Sequence, residues 1–379
     1  MLQPPGMVIT NLSILRRRLL AWYDTNRRDL PWRRSADPYR IWLSEIMLQQ
    51  TRVAAVREHY RAFLARFPTV DQLAAAPLAS VLAAWSGLGY YRRARSLHRA
   101  ARQIVHRHHS RLPRTLPELR ALPSIGRYTG AALASIAFGV PVAAVDANVE
   151  RVISRLLARP SPTRAACWTL AEALLARRRP GDWNQAMMEL GATVCLPRQP
   201  RCQSCPLKPW CAATASFAVA EVKEPGSPTR AAVARGGVVS PHPKPGSAPR
   251  PASAPDSRRT PSPLPGRRRK CHEAYLLAQR GASVYLLRRA SQARQMAGMW
   301  ELPRLPAPLP AGQPLFRLKH CITVTDYEIA IFAAANSAAA RPLDAAASLN
   351  GGRWVRLKRI PELPLTGLTR KVLRRAGLI

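Results

Sequence analysis

Four cysteines, Cys195, Cys202, Cys205 and Cys211, fall within seventeen residues at the spacing C-x6-C-x2-C-x5-C. Soft thiolates gathered this closely can converge on one metal centre or one iron–sulfur cluster. Structural zinc sites usually carry two close C-x2-C pairs, and only one such pair occurs here. The spacing favours a cluster and leaves a four-cysteine zinc knuckle open. Paired disulfides are a third reading. They are disfavoured because Met1 to Ser13 lacks the basic-then-apolar order of a secretory signal and the rest of the chain is poor in cysteine. Cys167, Cys271 and Cys321 stand alone, as small core residues do.

A second chemical feature lies upstream. The stretch LPSIGRYTGAALASIAFG, Leu122–Gly139, reads as a tight turn opening into a helix. Gly126 can adopt positive φ there, and the first amides of the following helix then point outward, where they can hold a phosphate. Such a helix-hairpin-helix element grips a DNA strand without reading its sequence. Many helix junctions contain glycine, so the signal is moderate by itself. About twenty residues on, VDANVERVISR places an acid, Asp146, in an apolar setting, where it can also cap a helix.

The elements that must position these groups are mostly helical. Asp37-Pro38 reads as an N-cap followed by proline at the first helical position, and apolar residues recur at helical spacing through Phe67. Helices are expected at Leu73–Ala84, Ala94–His108, Tyr128–Phe138, Asn148–Leu157 and Thr163–Leu175. Residues 1–216 are thus read as one all-α domain that includes the cysteine loop. Residues 225–270 hold eleven prolines, ten Lys or Arg and one acid, Asp256. Such a composition cannot bury a core, so 217–270 is read as a basic linker. From Cys271 to Ile379, CHEAYLLAQ, ASVYLLRRA, CITVTDYEIAIFAAA and GRWVRLKRI read as strands and Leu368–Ala376 as a helix, a small α+β domain.

Across 379 residues the net charge is +38. A compact chain so charged repels itself, and nucleic acid is the polyanion that fits best. No apolar run approaches the roughly 20 residues of a membrane span, so no membrane is expected; the reading is cytosolic and monomeric.

Four stretches together resemble adenine DNA glycosylases of the MutY type, within the endonuclease III, or helix-hairpin-helix, superfamily. They are LSEIMLQQT at Leu43–Thr51, GLGYYRRARSLH at Gly87–His98, the hairpin with VDANVERV, and the four cysteines after MELGATV. AGMWELP at Ala297–Pro303 resembles the Nudix-like C-terminal domain of that family. The resemblance implies one [4Fe–4S] cluster on the four cysteines. It also implies a double-stranded DNA partner carrying adenine opposite 8-oxoguanine or guanine, with the adenine extruded into a pocket. Glu45, among Trp42, Ile46, Met47 and Leu48, would be a general acid whose pKa is raised by apolar surroundings. Asp146 would stay ionised and stabilise positive charge on the sugar, by the two-carboxyl logic of glycoside hydrolysis. A position like this alone would more often hold an exposed carboxylate paired with Arg40 or Arg52.

Other roles follow from the same resemblance. Lyases of the superfamily carry a hairpin lysine that forms a Schiff base. Tyr128 stands in that place, which implies a monofunctional enzyme and puts Tyr128 in the active site. Asn148 supports the charged intermediate. Arg28, Trp32, Arg33 and Glu189 are expected around the base. Gln50, Thr51 and Tyr90 are expected at the duplex, with core packing the plainer reading for Tyr90 and Tyr91. Ser124 and Ala147 stand where glycine is usual, and tolerate positive φ less well. No R-E-x-x-E-E cluster occurs in the last domain, so pyrophosphate hydrolysis is not expected. Its 8-oxoguanine contact loop, usually Phe-Ser-His, reads Ile322-Thr323-Val324, where Thr323 would replace the serine hydroxyl. The alternatives are an endonuclease III-like lyase and a metal-containing DNA-binding protein. Borohydride trapping of a covalent adduct would favour the first; base release would exclude the second.

Overall fold

A computed structural model describes residues 11–158, 163–214, 269–293, 295–306, 312–322, 325–334 and 352–379. Residues 215–268, most of the expected linker, lie outside it, as do Thr323 and Val324. Among the described residues no helix is long and apolar enough to cross a membrane.

Eleven helices form the first domain among the described residues: α1 (Leu12–Asn26), α2 (Pro38–Leu48), α3 (Val53–Arg66), α4 (Val70–Ala75), α5 (Leu78–Ala84), α6 (Arg92–His108), α7 (Leu116–Ala121), α8 (Arg127–Phe138), α9 (Ala147–Leu156), α10 (Arg164–Leu174) and α11 (Pro180–Thr193). Asp37 caps α2, its carboxylate accepting from the Tyr39 amide at 2.9 Å. The helix stops at Gln49, whose ψ of 114° is not helical, and Gln50 beyond it is left-handed at φ 56°. The expected single helix over Leu73–Ala84 is instead two, α4 and α5, because Pro77 disfavours the helical conformation at Ala76.

Two cores share this domain. One runs through α2 to α7 and takes in Leu133 and Ala134 of α8. The other joins α1, α9, α10 and α11 to Ala131 and Ala132 of α8. Helix α8 therefore lies at the seam, and the seam is where the candidate site forms. Packing there is close: a Cβ at Gly181 of α11 would stand 2.7 Å from the Ser135 carbonyl oxygen.

The hairpin differs from expectation in one detail. Gly126 is the extended N-cap of α8, at φ −82°, and the left-handed residue of the turn is Ser124, at φ 63°. Ala147 opens α9 without positive φ. Of the two places where glycine is usual, one is therefore strained. Ser124→Gly should relieve a left-handed penalty of about 1–2 kcal/mol and give back part of it as unfolded-state entropy. The expected net is about 0.5–1 kcal/mol of added stability in urea melts; a neutral or destabilising result would show that the Ser124 side chain compensates.

The last domain has strands β1 (Arg269–Leu277), β2 (Gln279–Arg280), β3 (Ser283–Arg288), β4 (Trp300–Glu301), β5 (Phe316–Ile322), β6 (Thr325–Ala333) and β7 (Gly352–Arg356), then helix α12 (Gly367–Arg375). One sheet has order β1-β6-β5, parallel between β1 and β6 and antiparallel between β6 and β5. In the other, β3 pairs with β2, β4 and β7. The stretch expected as a single strand, CITVTDYEIAIFAAA, is the end of β5 plus β6, with Ile322 opposite Thr325.

Candidate active site

The seam gathers the expected carboxyl groups. Glu45, on the buried side of α2, is only 8% exposed, whereas Arg40, one of its expected exposed partners, pairs with Asp37 at 3.5 Å. Burial pushes the Glu45 carboxyl up to about 7. A hydrogen bond from Tyr128 and the charge of Arg33 oppose the shift, and the Asp146 charge adds to it. Tyr128, from the first turn of α8, holds its phenol proton well above the usual range because it is buried beside both acids. Its hydroxyl also donates to Met188 Sδ at 3.1 Å. A carboxyl is the better partner, and a protonated Glu45 can donate to the Tyr128 oxygen while Tyr128 donates to sulfur.

Asp146 is both cap and site residue. One carboxylate oxygen accepts from the Val149 amide at 2.8 Å, the other from Asn148 Nδ2 at 2.9 Å. Asn148 is held in turn by Arg151 Nη2, 2.9 Å from its Oδ1. Helix α11 presses on this turn at Gly191, where an added Cβ would meet the Asn148 Cβ at 2.6 Å. The segment leading into Asp146 is pinned by a residue without motif signal, Asn184. Buried in α11, it accepts from the Ala144 amide at 3.0 Å and donates to the Val142 carbonyl at 2.9 Å and to Ser135 Oγ at 2.8 Å.

The expected base-contacting residues form a second cluster. Glu189, 1% exposed, receives Arg28 Nε at 2.6 Å, Arg28 Nη2 at 2.9 Å and Arg33 Nη2 at 2.9 Å. Burial raises its pKa, but the guanidinium bonds outweigh that and hold it at about 2. Trp32 is packed in the core, edge-on to Tyr60 at 5.5 Å.

Gln50 is exposed, and Tyr90 is 49% exposed at φ 48°, whereas Tyr91 is buried. The core reading thus holds for one tyrosine and fails for the other. Strained backbone at two exposed side chains near a cleft is a recurrent feature of functional sites. Both loops close on Arg93, which lies within the Gly87–His98 stretch but is given no role there. It donates to the Ile46 and Met47 carbonyls at 2.9 and 2.8 Å, to the Gln49 carbonyl, and to Thr51 Oγ1 at 2.9 Å, and it lies 5.3 Å from the Tyr90 ring centroid.

Gly126 supplies no capping side chain, so the first amides of α8 lack a partner from their N-cap, and a Cβ built at Gly126 would meet nothing within 4 Å. A phosphate could approach there.

None of the seven cysteines is in a disulfide. Cys195, Cys202, Cys205 and Cys211 line one cavity of about 30 Å³, with Arg155 and Lys208 at its edge. Burial, reinforced by the other three thiols, pushes Cys205 up to about 11. Arg155 Nη1 reaches Cys195 Sγ at 3.3 Å. Among the described residues no three thiol, imidazole or carboxylate groups close up to hold a single ion. The donor set, four sulfurs spread round a cavity, suits a polynuclear cluster better than one zinc.

Residues 43–174 match the HhH-GPD superfamily base excision DNA repair protein model. The chain is 44% identical over 200 residues to an adenine DNA glycosylase of Mycolicibacterium smegmatis, covering 52% of this chain and 68% of that protein. It is 46% identical over 219 residues to the human adenine DNA glycosylase, covering 54% of this chain but 40% of the relative; for the rat enzyme the share of the relative is 46%. The chain thus spans less than half the length of those two. A thermostable thymine-DNA glycosylase is similar in structure, with TM-score 0.51 and 31% identity over 54% of this chain and 97% of that one. With this coverage, and with the two acids meeting at the seam the family motifs line, the chain belongs to the adenine DNA glycosylase family, within the HhH-GPD superfamily.

Proposed function

We propose that the protein removes adenine paired with 8-oxoguanine or guanine from double-stranded DNA and leaves an abasic site. The observation that carries this is Glu45, a carboxyl kept neutral by burial to about pH 7 beside Asp146. With adenine extruded into the seam, Glu45 gives its proton to N7 of the base. The C1′–N9 bond then breaks with its electron pair leaving on a neutral adenine. Asp146, fixed by Asn148 and the Val149 amide, faces the cationic sugar. Glu45, now a carboxylate, takes a proton from the water that adds at C1′. Arg28, Arg33 and Glu189 offer donors and acceptors to the base edge.

A monofunctional reaction is supported by Tyr128 and by a wider fact: no lysine occurs before Lys208. The helical domain up to the cysteine loop therefore offers no side-chain amine for a Schiff base.

The four cysteines would hold a [4Fe–4S] cluster whose contribution is to fix the loop and its basic residues against DNA. The last domain is read as Nudix-like and as the reader of 8-oxoguanine, with Thr323, which lies outside the described residues, in the serine's place. Among the described residues, Glu273 pairs with Arg304 at 3.1 Å, Glu301 with Arg289 at 2.7 Å, Glu328 with His272 at 3.4 Å and Glu362 with Arg359 at 3.5 Å, separate pairings that suit recognition better than magnesium-dependent hydrolysis.

The test is a duplex with adenine opposite 8-oxoguanine, analysed with and without hot alkali. Strand breaks only after alkali are expected. Breaks without alkali would mean lyase chemistry, and none in either lane would overturn the reading.

A further inference from the structure

The two domains are joined at the loop that carries Tyr90. Ser86 Oγ donates to the Leu365 carbonyl at 2.9 Å, and Tyr91 Oη donates to the same oxygen at 3.2 Å. Arg370 Nε, from α12, donates to Ser86 Oγ at 3.0 Å. Ser86 and Tyr91 are both buried. Leu365 itself sits beside β4: Thr366 N donates to the Trp300 carbonyl at 2.9 Å, and Trp300 N to the Pro364 carbonyl at 2.8 Å. From the same β3–β4 connection Met299 is fully buried in the α2–α7 core, and Arg95 bonds the Ala297 carbonyl.

The segment between Ser86 and Tyr91 has little freedom left. Gly87 and Gly89 are at φ 111° and 70°, and Tyr90 at 48°. A Cβ at Gly87 would stand 2.7 Å from His59 Nε2. Trp85 Nε1 fixes the Gly89 carbonyl at 3.1 Å. Tyr90 points into a cleft of about 680 Å³ whose far wall includes Met296, His320 and Cys321, at the end of β5. A displacement of the last domain at Leu365 would therefore be passed through Ser86 and Tyr91 to a loop that has no slack, and would reach the Tyr90 ring.

We propose that Ser86, Tyr91, the Leu365 carbonyl and Arg370 form an interdomain latch that sets the pose of Tyr90 according to how the last domain meets the base opposite adenine. Ser86, Tyr91 and Arg370 are positioning residues: they act through Tyr90 and touch no reacting atom. The inference rests on the proposed activity and names what makes it selective. Two bonds onto one buried carbonyl are lost together when both hydroxyls go, which corresponds to about a tenfold effect.

The test is the double variant Ser86→Ala, Tyr91→Phe in the full chain, with Tyr91→Phe alone as a milder second. Single-turnover adenine release is measured on duplexes with 8-oxoguanine or guanine opposite, and duplex binding is followed by 2-aminopurine placed beside the target. The double variant should lose about tenfold on the 8-oxoguanine duplex and little on the guanine duplex, with a smaller 2-aminopurine signal. Tyr91→Phe should move both readouts the same way by less. Equal losses on both duplexes, or no change in the fluorescence signal, would reduce these contacts to ordinary packing and overturn the latch. Failure of the parent protein to release adenine from either duplex would instead sink the proposed activity, and the fluorescence arm would still decide the latch.

Discussion

Glu45→Gln is expected to lower adenine release by about 10²–10⁴-fold, the usual worth of a positioned acid–base group, while duplex binding stays close to the parent's. The same change should make the protein more stable in alkaline solution. In the fold the carboxyl stays protonated up to about pH 7, against 4.5 for an ordinary glutamate. Its raised pKa means that its contribution is fully present below pH 4.5. That contribution is lost between 4.5 and about 7, as the unfolded chain ionises and the buried group does not. The shift corresponds to about 3 kcal/mol. Glutamine has no proton to lose and escapes that cost. Urea melts of parent and variant should therefore diverge by about 3 kcal/mol in the variant's favour between pH 4 and pH 8. A gap that does not change with pH would mean that Glu45 titrates normally, and the general-acid assignment would lose its basis. In the parent, base release should decline as pH rises through about 7.

Stability given up at the reacting group is the pattern expected of a site that evolved for chemistry. The neighbouring cluster has the opposite sign. Glu189 is held at about 2 by Arg28 and Arg33. Its contribution is present above pH 4.5 and lost only as pH falls toward 2. Between pH 4.5 and 7 one buried acid thus weakens the fold while the other supports it. Two carboxyls a short way apart are set to different protonation states by their surroundings, neutral for proton donation and ionised for holding donors in place.

Much of this was legible in the residues. Glu45 lies in an otherwise apolar run interrupted only by Ser44, and every residue from Ile41 to Met47 is buried. Asp146 precedes a helix and caps it. The four cysteines grouped by their spacing line one cavity. What the sequence hid falls into two kinds. Pairings such as Arg28 with Glu189 join positions 161 apart in number, and no local pattern marks them. Turns without turn residues were also hidden. No Gly, Pro or Asn separates β5 from β6, so the two strands read as one, and left-handed backbone falls on Gln50 and Ser124, which are not glycine. One further signal lies in the sequence of α6. Arg93 sits on the buried stripe of α6 with Leu97, Ala100, Ala101 and Ile104, and a charge on an apolar stripe demands partners.

Those partners make Arg93→Met the second large effect. Helix α2, which carries Glu45, ends with carbonyls that no helical amide can reach. Arg93 satisfies those of Ile46 and Met47, and its cation lies at the negative end of the helix dipole. It also fixes Gln49 and Thr51 in the loop beyond, and stacks on Trp85 and Tyr90. Burial lowers its pKa, but only to about 10, so it is charged at neutral pH. Methionine keeps much of the stem's volume and strands several buried acceptors, each costing about 1–3 kcal/mol, partly relieved by water. The expected loss is about 2–4 kcal/mol in urea melts. Adenine release should fall beyond what unfolding explains, because the end of α2 and both strained loops lose their common anchor. Arg93→Lys should recover only part of either property, since a single ammonium cannot replace both Nη1, on the carbonyls at the end of α2, and Nη2, on Thr51. Melts within about 1 kcal/mol of the parent would mean that water replaces the guanidinium at the end of α2. Release would then depend on Glu45 and Asp146 without this support.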